Sequence, residues 1–514
     1  MKALAPQYVT LAIGLAIGVS AVARADDAAP SAKPTTIEIS KETTVLTEPV
    51  VNGRVDYLAA LNKQTSRGVT LENNAAVLFI RAIGPREIHE ELRPEYFRLL
   101  GVKPLPLKGD YLKPLTNELM TSYGKASEGP WSADEYPHLV EWLRQNEAPL
   151  SLILEGSQRS EYFTPLVGTP DQGPALIAVL LPMLQEARGM ARALSLRALL
   201  NIQQGDLTAA RRDLLACHRI GRLVSRNPTI IGQLVGYAIE SIAFQADCAL
   251  VRHPRLTARE AMDYREQLRE LPDVPNMADL VDRMERFVFL DCMLTIADGN
   301  GATDELADSL QNIGLNVPSR AVLDAGRYLA DSYVDWNTVL RDSNEFYDRI
   351  VAAMRVSGYD ERQQAMQTLE KEIAGFRAGI TPSDPLSATL ALLTPRQSLT
   401  GQTSKVFIAV LCPGLLPATR AETRMFERAE LLDVALTLAA YRADAGRYPA
   451  ALAELTPDYL DRIPNDLFTG SDLVYRRSDA GYILYSLGEN QTDDDGRTYG
   501  DVPKADDLVV KTQR

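Results

Sequence analysis

Cysteine and histidine are both scarce in this chain, which has only four of each among its 514 residues. The cysteines, at positions 217, 248, 292 and 412, are too few and too scattered for a disulfide framework, although a single bridge stays open. The histidines show no H-x-x-x-H or similar zinc spacing. Cys217 and His218 are adjacent on a predicted helix, so their side chains point about 100° apart and cannot hold one ion together. We therefore expect neither a disulfide scaffold nor a zinc site.

Positive charge is in deficit as well, because 54 Lys and Arg residues stand against 68 Asp and Glu residues, for a net charge of −14. A nucleic-acid-binding protein needs a basic face, so this balance argues against nucleic acid and against an anionic membrane surface. The motifs G-x-x-x-x-G-K-[ST] and G-x-G-x-x-G do not occur, so nucleotide binding is not expected. No G-x-S-x-G marks a serine nucleophile, and no carboxylate pair can be singled out as catalytic.

Long apolar runs are missing after residue 25. The first 25 residues contain Lys2, the apolar run Val9–Val22 and the A-x-A site at residues 23–25, which is the pattern of a signal peptide; the alternative is a retained N-terminal anchor. The nearest later run, Val406–Leu416, is shorter than a membrane span and is interrupted by Pro413 and Gly414. We therefore expect export to the periplasm or cell surface and no transmembrane span after cleavage.

The remaining chain divides by composition. Residues 26–49 read as a polar tether, and residues 50–378 carry a nearly continuous helical pattern. Residues 379–404 are rich in Pro, Ser and Thr and read as a linker before a unit at 405–514. Gly205 and Asp206 separate two predicted helices in a hairpin that resembles a tetratricopeptide unit, although no 34-residue repeat is visible. The helical domain is thus predicted to be irregular, with a tetratricopeptide-like array as the alternative.

Two segments of the helical domain invite a functional interpretation. Tyr328, Tyr333 and Trp336 could line a ligand groove, but their helical spacing favours the core. The segment DGNGATDE, residues 298–305, resembles an EF-hand loop but has Ala302 and Thr303 where an oxygen ligand and a turn glycine are needed. We interpret it as a loop that follows a helix.

The C-terminal unit changes its hydrophobic period. Arg420–Ala443 has the apolar stripe of a long helix that ends before Gly446. Residues 473–476 and 482–487 alternate like the strands of a hairpin, and Leu508–Lys511 predicts a third strand. The predicted fold is therefore a mainly α-helical N-terminal domain followed by a small α+β domain, in which one long helix packs on a three-stranded antiparallel sheet.

The order of motifs in this unit resembles the globular C-terminal domain of the major pseudopilin of type II secretion systems. The motifs that carry the resemblance are YRADAGRYP (441–449), YLDRIPNDLFTG (459–470), VYRR (474–477), GYILYSLG (481–488) and the DD pair at 506–507. A similar module occurs at the C-terminus of large exported bacterial proteins with helical N-terminal regions. The chain departs from pseudopilins because it lacks their N-terminal assembly helix, so pilus-like polymerisation is not expected.

The resemblance also implies a metal site, because the acidic loop of that family binds Ca²⁺. Six aspartates lie between residues 493 and 507, and Ca²⁺ takes 6–8 oxygen ligands, which would offset their repulsion. The implied ligands are Asp506 and Asp507, the side chain of Asn490 and the backbone oxygen of Leu487. Asn490 and Gln491 stand where the family has Asp-Gly, and the alternative is a solvated acidic loop without metal.

Residues and resemblance together predict an exported, non-enzymatic scaffold that binds an unidentified protein partner. One alternative is a periplasmic hydrolase whose site lies in a groove of the helical domain. A concave pocket with convergent acids or histidines of perturbed pKa would favour that alternative. A second alternative is an accessory component of a secretion system.

Overall fold

The computed structural model describes residues 36–168, 176, 179, 181–298, 334–380, 396–412, 414–479 and 481–512. The chain is mainly α-helical and carries a three-stranded antiparallel sheet near its C-terminus, which confirms the predicted fold class. The segment 298–305 lies outside the described residues beyond Asp298, and so do Tyr328 and Tyr333.

The N-terminal part begins with a tight strand pair and six short helices. Strands β1 (Val50–Val51) and β2 (Arg54–Val55) pair around a turn in which Asn52 has a φ of 51°. Asp56 caps the first helix, because its carboxylate accepts the Ala59 N–H. These helices are α1 (Tyr57–Thr65), α2 (Ala75–Ile83), α3 (Arg93–Leu100), α4 (Asn117–Ala126), α5 (Pro137–Gln145) and α6 (Glu147–Ser157).

Longer helices form the middle of the molecule. Gly205, with a φ of 78°, ends one helix, and the Asp206 carboxylate caps the next, so this hairpin forms where the sequence predicts it. These helices are α7 (Pro182–Gln204), α8 (Leu207–Val224), α9 (Ile230–Arg252), α10 (Ala258–Arg269) and α11 (Met277–Leu280), which continues through a π-helical segment (Val281–Glu285) into α12 (Arg286–Asp298).

Two helices form the end of the segment 50–378, for which the sequence predicts a nearly continuous helical pattern. Helix α13 (Trp336–Met354) is separated from α14 (Tyr359–Ile380) by a turn at Gly358, whose φ of 89° favours glycine. Helix α15 (Arg396–Leu411) begins inside the predicted linker. Trp336 is buried, as its helical spacing predicts.

The predicted C-terminal unit has the expected order of elements. Helix α16 (Leu416–Ala445) ends at Gly446. Strands β3 (Val474–Ser478) and β4 (Gly481–Ser486) form an antiparallel hairpin, and β5 (Leu508–Lys511) pairs with the other edge of β4. A single 3₁₀ turn, Leu452–Leu455, follows Pro449.

Helix α16 belongs to two hydrophobic cores. Its first half contributes Leu416 and Met425 to a core with α11–α14, while its second half contributes Leu431–Ala440 to a core with α7–α10 and the C-terminal sheet. Residues 36–49 also lie on the first of these cores, where Thr43 and Thr44 are fully buried. Residues 36–49 therefore pack against the protein, whereas the sequence predicts a polar tether over residues 26–49. The two threonines can be buried because nearby carbonyl groups accept hydrogen bonds from their hydroxyls.

One described helix, α9, is long and apolar enough to cross a membrane by length and composition. The sequence analysis missed it because Gln233, Glu240 and Asp247 interrupt the apolar run. Two thirds of its apolar window (67%) is buried inside the protein, where α9 packs against α7, α8 and α16. The core helix of a globular protein passes the same test.

Candidate functional site

In the C-terminal acidic loop, residues 488–507, Asp493 and Asp495 are paired with side chains of the neighbouring sheet. Arg476 on β3 donates to Asp493 (2.9 Å) and Asp495 (3.0 Å). The hydroxyl of Tyr485 on β4 also donates to Asp493, at 2.7 Å. These donors lower the pKa of Asp493, the Tyr485 hydrogen bond most strongly. Arg476 therefore offsets part of the repulsion that the sequence predicts in this loop.

Asp506 and Asp507 form no ion pair with a described residue, although the charge of Arg424 partly offsets that of Asp506. Asp507 is 2% exposed; its Oδ2 accepts the Gly496 N–H at 2.8 Å, while its Oδ1 is buried and receives no hydrogen bond from the described residues. Asp506 Oδ2 accepts the Asn490 N–H at 3.2 Å, and its Oδ1 is likewise buried without a donor. Burial and the charges of Asp494 and Asp493 raise the pKa of Asp507 to about 6. Burial, with Asp494, also raises the pKa of Asp506.

The four predicted ligand residues come together only in part. Asn490 lies against Asp506, but its Nδ2 points toward Asp494 Oδ2 at 3.0 Å, while its Oδ1 accepts the Thr492 N–H. Turning the amide over would place an oxygen among these carboxylates. Leu487 lies at the end of β4, where its N–H donates to Asp466 Oδ2 at 2.8 Å.

The oxygen chemistry of this loop fits Ca²⁺ better than it fits a transition metal. Asp506 and Asp507 each offer a buried oxygen without a donor, and Ca²⁺ accepts carboxylate, amide, backbone and water oxygens in flexible geometry. Within the part of the chain that the structure describes, no three His, Cys, Asp or Glu side chains converge as a metal-binding group. A Ca²⁺ ion here would therefore need amide, backbone or water ligands beside the two carboxylates.

A second group of ionisable side chains is buried inside the helical body. His218 on α8 contacts two carboxylates of α9: its Nδ1 lies 2.6 Å from Glu240 Oε2, and its Nε2 lies 2.7 Å from Asp247 Oδ2. Tyr264 on α10 donates to Asp247 Oδ1 at 2.8 Å. Arg222 Nε lies 3.0 Å from Glu240 Oε1, an ion pair whose angle does not suit a hydrogen bond.

This cluster holds His218 in its charged form. Burial alone would lower the pKa of His218, but the carboxylates of Glu240 and Asp247 raise it to about 10. The same contacts lower the pKa of Glu240 against the effect of burial. The cluster is a compensated set of charges in a low-dielectric interior, and the neighbouring Cys217 points elsewhere, toward the Ala191 carbonyl at 3.5 Å.

A cavity of about 670 Å³ lies beside this cluster, between α9, α10, α16 and the loop 460–467. One side of the cavity is lined by His218, Arg222 and Glu240. Another side is lined by Arg265 and Asp433, whose guanidinium and carboxylate form two hydrogen bonds, of 2.8 Å (Nε to Oδ1) and 2.9 Å (Nη2 to Oδ2). Its size falls in the range of small-molecule sites.

The histidine cluster was not predicted from the sequence, and the cavity was anticipated only as an unlocated groove of the helical domain in the hydrolase alternative. Glu240 and Asp247 are separated by seven residues on one helix, which is the spacing of side chains on one face, and that spacing was the available signal. Asp466 was missed as well: its Oδ1 accepts the Phe468 N–H at 2.7 Å, so one buried carboxylate organises the NDLFTG loop and ties it to β4.

No protein-family model, curated protein or solved structure matches this chain.

Proposed function

We propose that this chain is an exported, non-enzymatic interaction protein whose C-terminal acidic loop binds Ca²⁺ and presents a contact surface to a protein partner. The observation that carries the proposal is the pair of buried carboxylate oxygens, Asp506 Oδ1 and Asp507 Oδ1, which have no donor among the described residues. Buried polar atoms without a partner are rare and costly, so a cation at this position would supply what the protein does not.

The contact surface would be the tip of the same loop. Tyr499 is 77% exposed and Val502 is 40% exposed, between the points where Gly496 and Asp507 fix the loop to the sheet. Exposed tyrosines are favoured at protein interfaces. The nearby Asp494 and Asp501, which form no ion pair with a described residue, would select a partner with basic residues. Ca²⁺ would reduce the entropy that the loop loses when the partner binds.

The hydrolase alternative has less support, although a histidine reaches the wall of a cavity. Both ring nitrogens of His218 are engaged by carboxylates, and its pKa near 10 keeps it protonated at neutral pH. A general base must be free to take a proton near the working pH, so His218 does not suit that role. The secretion-accessory alternative would give the same exported protein a particular partner, and binding to secretion proteins would distinguish it.

Calcium titration of the full chain, followed by calorimetry and by thermal unfolding, tests the proposal. A site with a Kd of about 0.1 mM, typical of extracellular calcium modules, would add about 2.7 kcal/mol to the free energy of unfolding at 10 mM Ca²⁺. The double variant D506N/D507N should lose this response.

The matched control is D479N, which removes an exposed carboxylate from the β3–β4 turn of the same sheet. It should respond to Ca²⁺ like the wild type. Equal unfolding midpoints of the wild type in 10 mM Ca²⁺ and in chelator would reject the calcium site.

A further inference from the structure

Arg428 is a partly buried cation at the cavity between α9, α10, α16 and the loop 460–467, and it forms no ion pair with a described residue. Arg428 on α16 lines the cavity, and no carboxylate, carbonyl or ring among the described residues contacts its guanidinium. The other partly buried arginines of the wall differ, because Arg222 faces Glu240 and Arg265 is held by Asp433 in a bidentate pair.

The environment of Arg428 disfavours an unpaired charge. Burial and the nearby Arg424 lower the pKa of Arg428 to about 10. Arg424 is paired with Glu489 of the acidic loop and is therefore not available to a ligand. The Arg428 guanidinium keeps access to solvent through the cavity, so an anion that enters the cavity can supply the acceptors that the protein does not.

The rest of the wall restricts what such an anion can be. The apolar side chains of Phe244, Leu268, Leu436 and Leu460 line the same space, so part of the ligand is expected to be hydrocarbon. Arg269 and Arg462 lie at the cavity together with three acids, namely Asp273, Glu430 and Asp461. A second negative charge on the ligand would meet these carboxylates, which favours a monoanion over a phosphate dianion.

We propose that this cavity binds a small organic monocarboxylate with an apolar body, whose carboxylate pairs with Arg428. This site is separate from the acidic loop and goes beyond the proposed calcium-dependent interaction. The cavity is built from the helical body and from the loop that precedes β3, so a bound carboxylate would contact both parts of the chain. The guanidinium donates two parallel hydrogen bonds to the carboxylate, and the hydrocarbon replaces water at the leucine wall.

Calorimetric titration of the full chain with octanoate tests this assignment, with octanol and octylamine as uncharged and cationic probes of similar length. Octanoate should bind saturably with a Kd near or below about 1 mM, at least tenfold more tightly than either of the other two. R428M should weaken octanoate binding at least tenfold, while R428K keeps the charge but not the two parallel hydrogen bonds and should bind more weakly than the wild type and more tightly than R428M.

The matched control is R259M on the outer face of α10, where the Arg259 side chain is 91% exposed. It should bind octanoate like the wild type. R428M removes a partly buried cation that forms no ion pair with a described residue, so its unfolding midpoint should equal or exceed that of the wild type, and lost binding would not reflect lost folding. Octanoate that fails to bind, that binds R428M equally well, or that binds no better than octylamine would overturn the proposal. Repeating the titration in chelator separates this result from the calcium test.

Discussion

Glu240 and Asp247, inside the helical body, share the cation of His218, and Glu240 Oε1, which receives no hydrogen bond, faces the Arg222 guanidinium at 3.0 Å. Asp506 and Asp507, beside the C-terminal sheet, each keep a buried oxygen that has neither a donor nor an ion pair among the described residues. The pKa values follow this difference: that of Glu240 is lowered although it is buried, and those of Asp506 and Asp507 are raised. The histidine cluster balances its charges within the chain, whereas the carboxylates of Asp506 and Asp507 would need a cation from solution. Buried acids therefore indicate a ligand only where the protein itself does not compensate their charge.

Removing the cation of the compensated cluster should have the largest effect. H218A leaves Glu240 and Asp247 buried beside each other, so we expect the free energy of unfolding to fall by about 3–5 kcal/mol in urea titration. H138A is the control, because His138 is exposed and bonds only Ser122 among the described residues; it should change stability by less than about 0.5 kcal/mol. Adding E240Q and D247N to H218A should recover part of the loss, and no recovery would contradict the electrostatic explanation.

The pH dependence of the free energy of unfolding should distinguish the acidic loop from the histidine cluster. The folded state raises the pKa of Asp507 to about 6, so it binds this proton more tightly than the unfolded chain does. Without Ca²⁺, stability from this group should therefore fall by about 1–2 kcal/mol as pH rises from about 4 to 6. With 10 mM Ca²⁺ the fall should shrink or reverse, because the ion binds the deprotonated carboxylate. Unfolding of the wild type and D507N across this range measures the difference, and identical pH profiles would contradict it.

A smaller effect on stability and on calcium affinity is expected from a substitution of Asn490, which lies beside the loop carboxylates. N490D replaces the amide that donates to Asp494 with a third carboxylate. Without Ca²⁺ we expect a loss of about 0.5 kcal/mol from added repulsion, and with Ca²⁺ we expect an affinity increase of about threefold, since charge strengthens calcium sites. Calorimetry measures the affinity, and the exposed substitution N117D on α4 controls for added charge. Weaker calcium binding by N490D would place the ion away from Asn490.

Local signals in the sequence predicted much of the fold because they act within a few residues. Gly205 and Gly446 adopt positive φ at the predicted helix ends, and Asp206 caps the helix that follows. The β3–β4 hairpin and the β5 strand follow from alternation. The β1–β2 pair was not predicted, because strands of two residues are too short to show an alternating pattern.

The functional geometry was predicted less well because it depends on distant packing. His218 lies on α8 and its carboxylates lie on α9, and neither helix carries a local mark of the contact. Arg428 looks like any solvated arginine of an amphipathic helix until α10 and the loop 460–467 cover it. The acidic loop was recognisable because its aspartates are close in sequence, yet only the structure separates those that meet Arg476 from those that do not.

The position of α16 across two cores has a consequence for how the chain acquires its structure. Helices α7–α10 and α11–α14 each expose an apolar face until Leu416–Ala440 arrives, late in the direction of synthesis. Contacts that join distant parts of a chain form slowly, so a nascent chain that ends before α16 would keep those faces open to chaperones. Packing of α16 onto both apolar faces would then complete the two hydrophobic cores at nearly the same time.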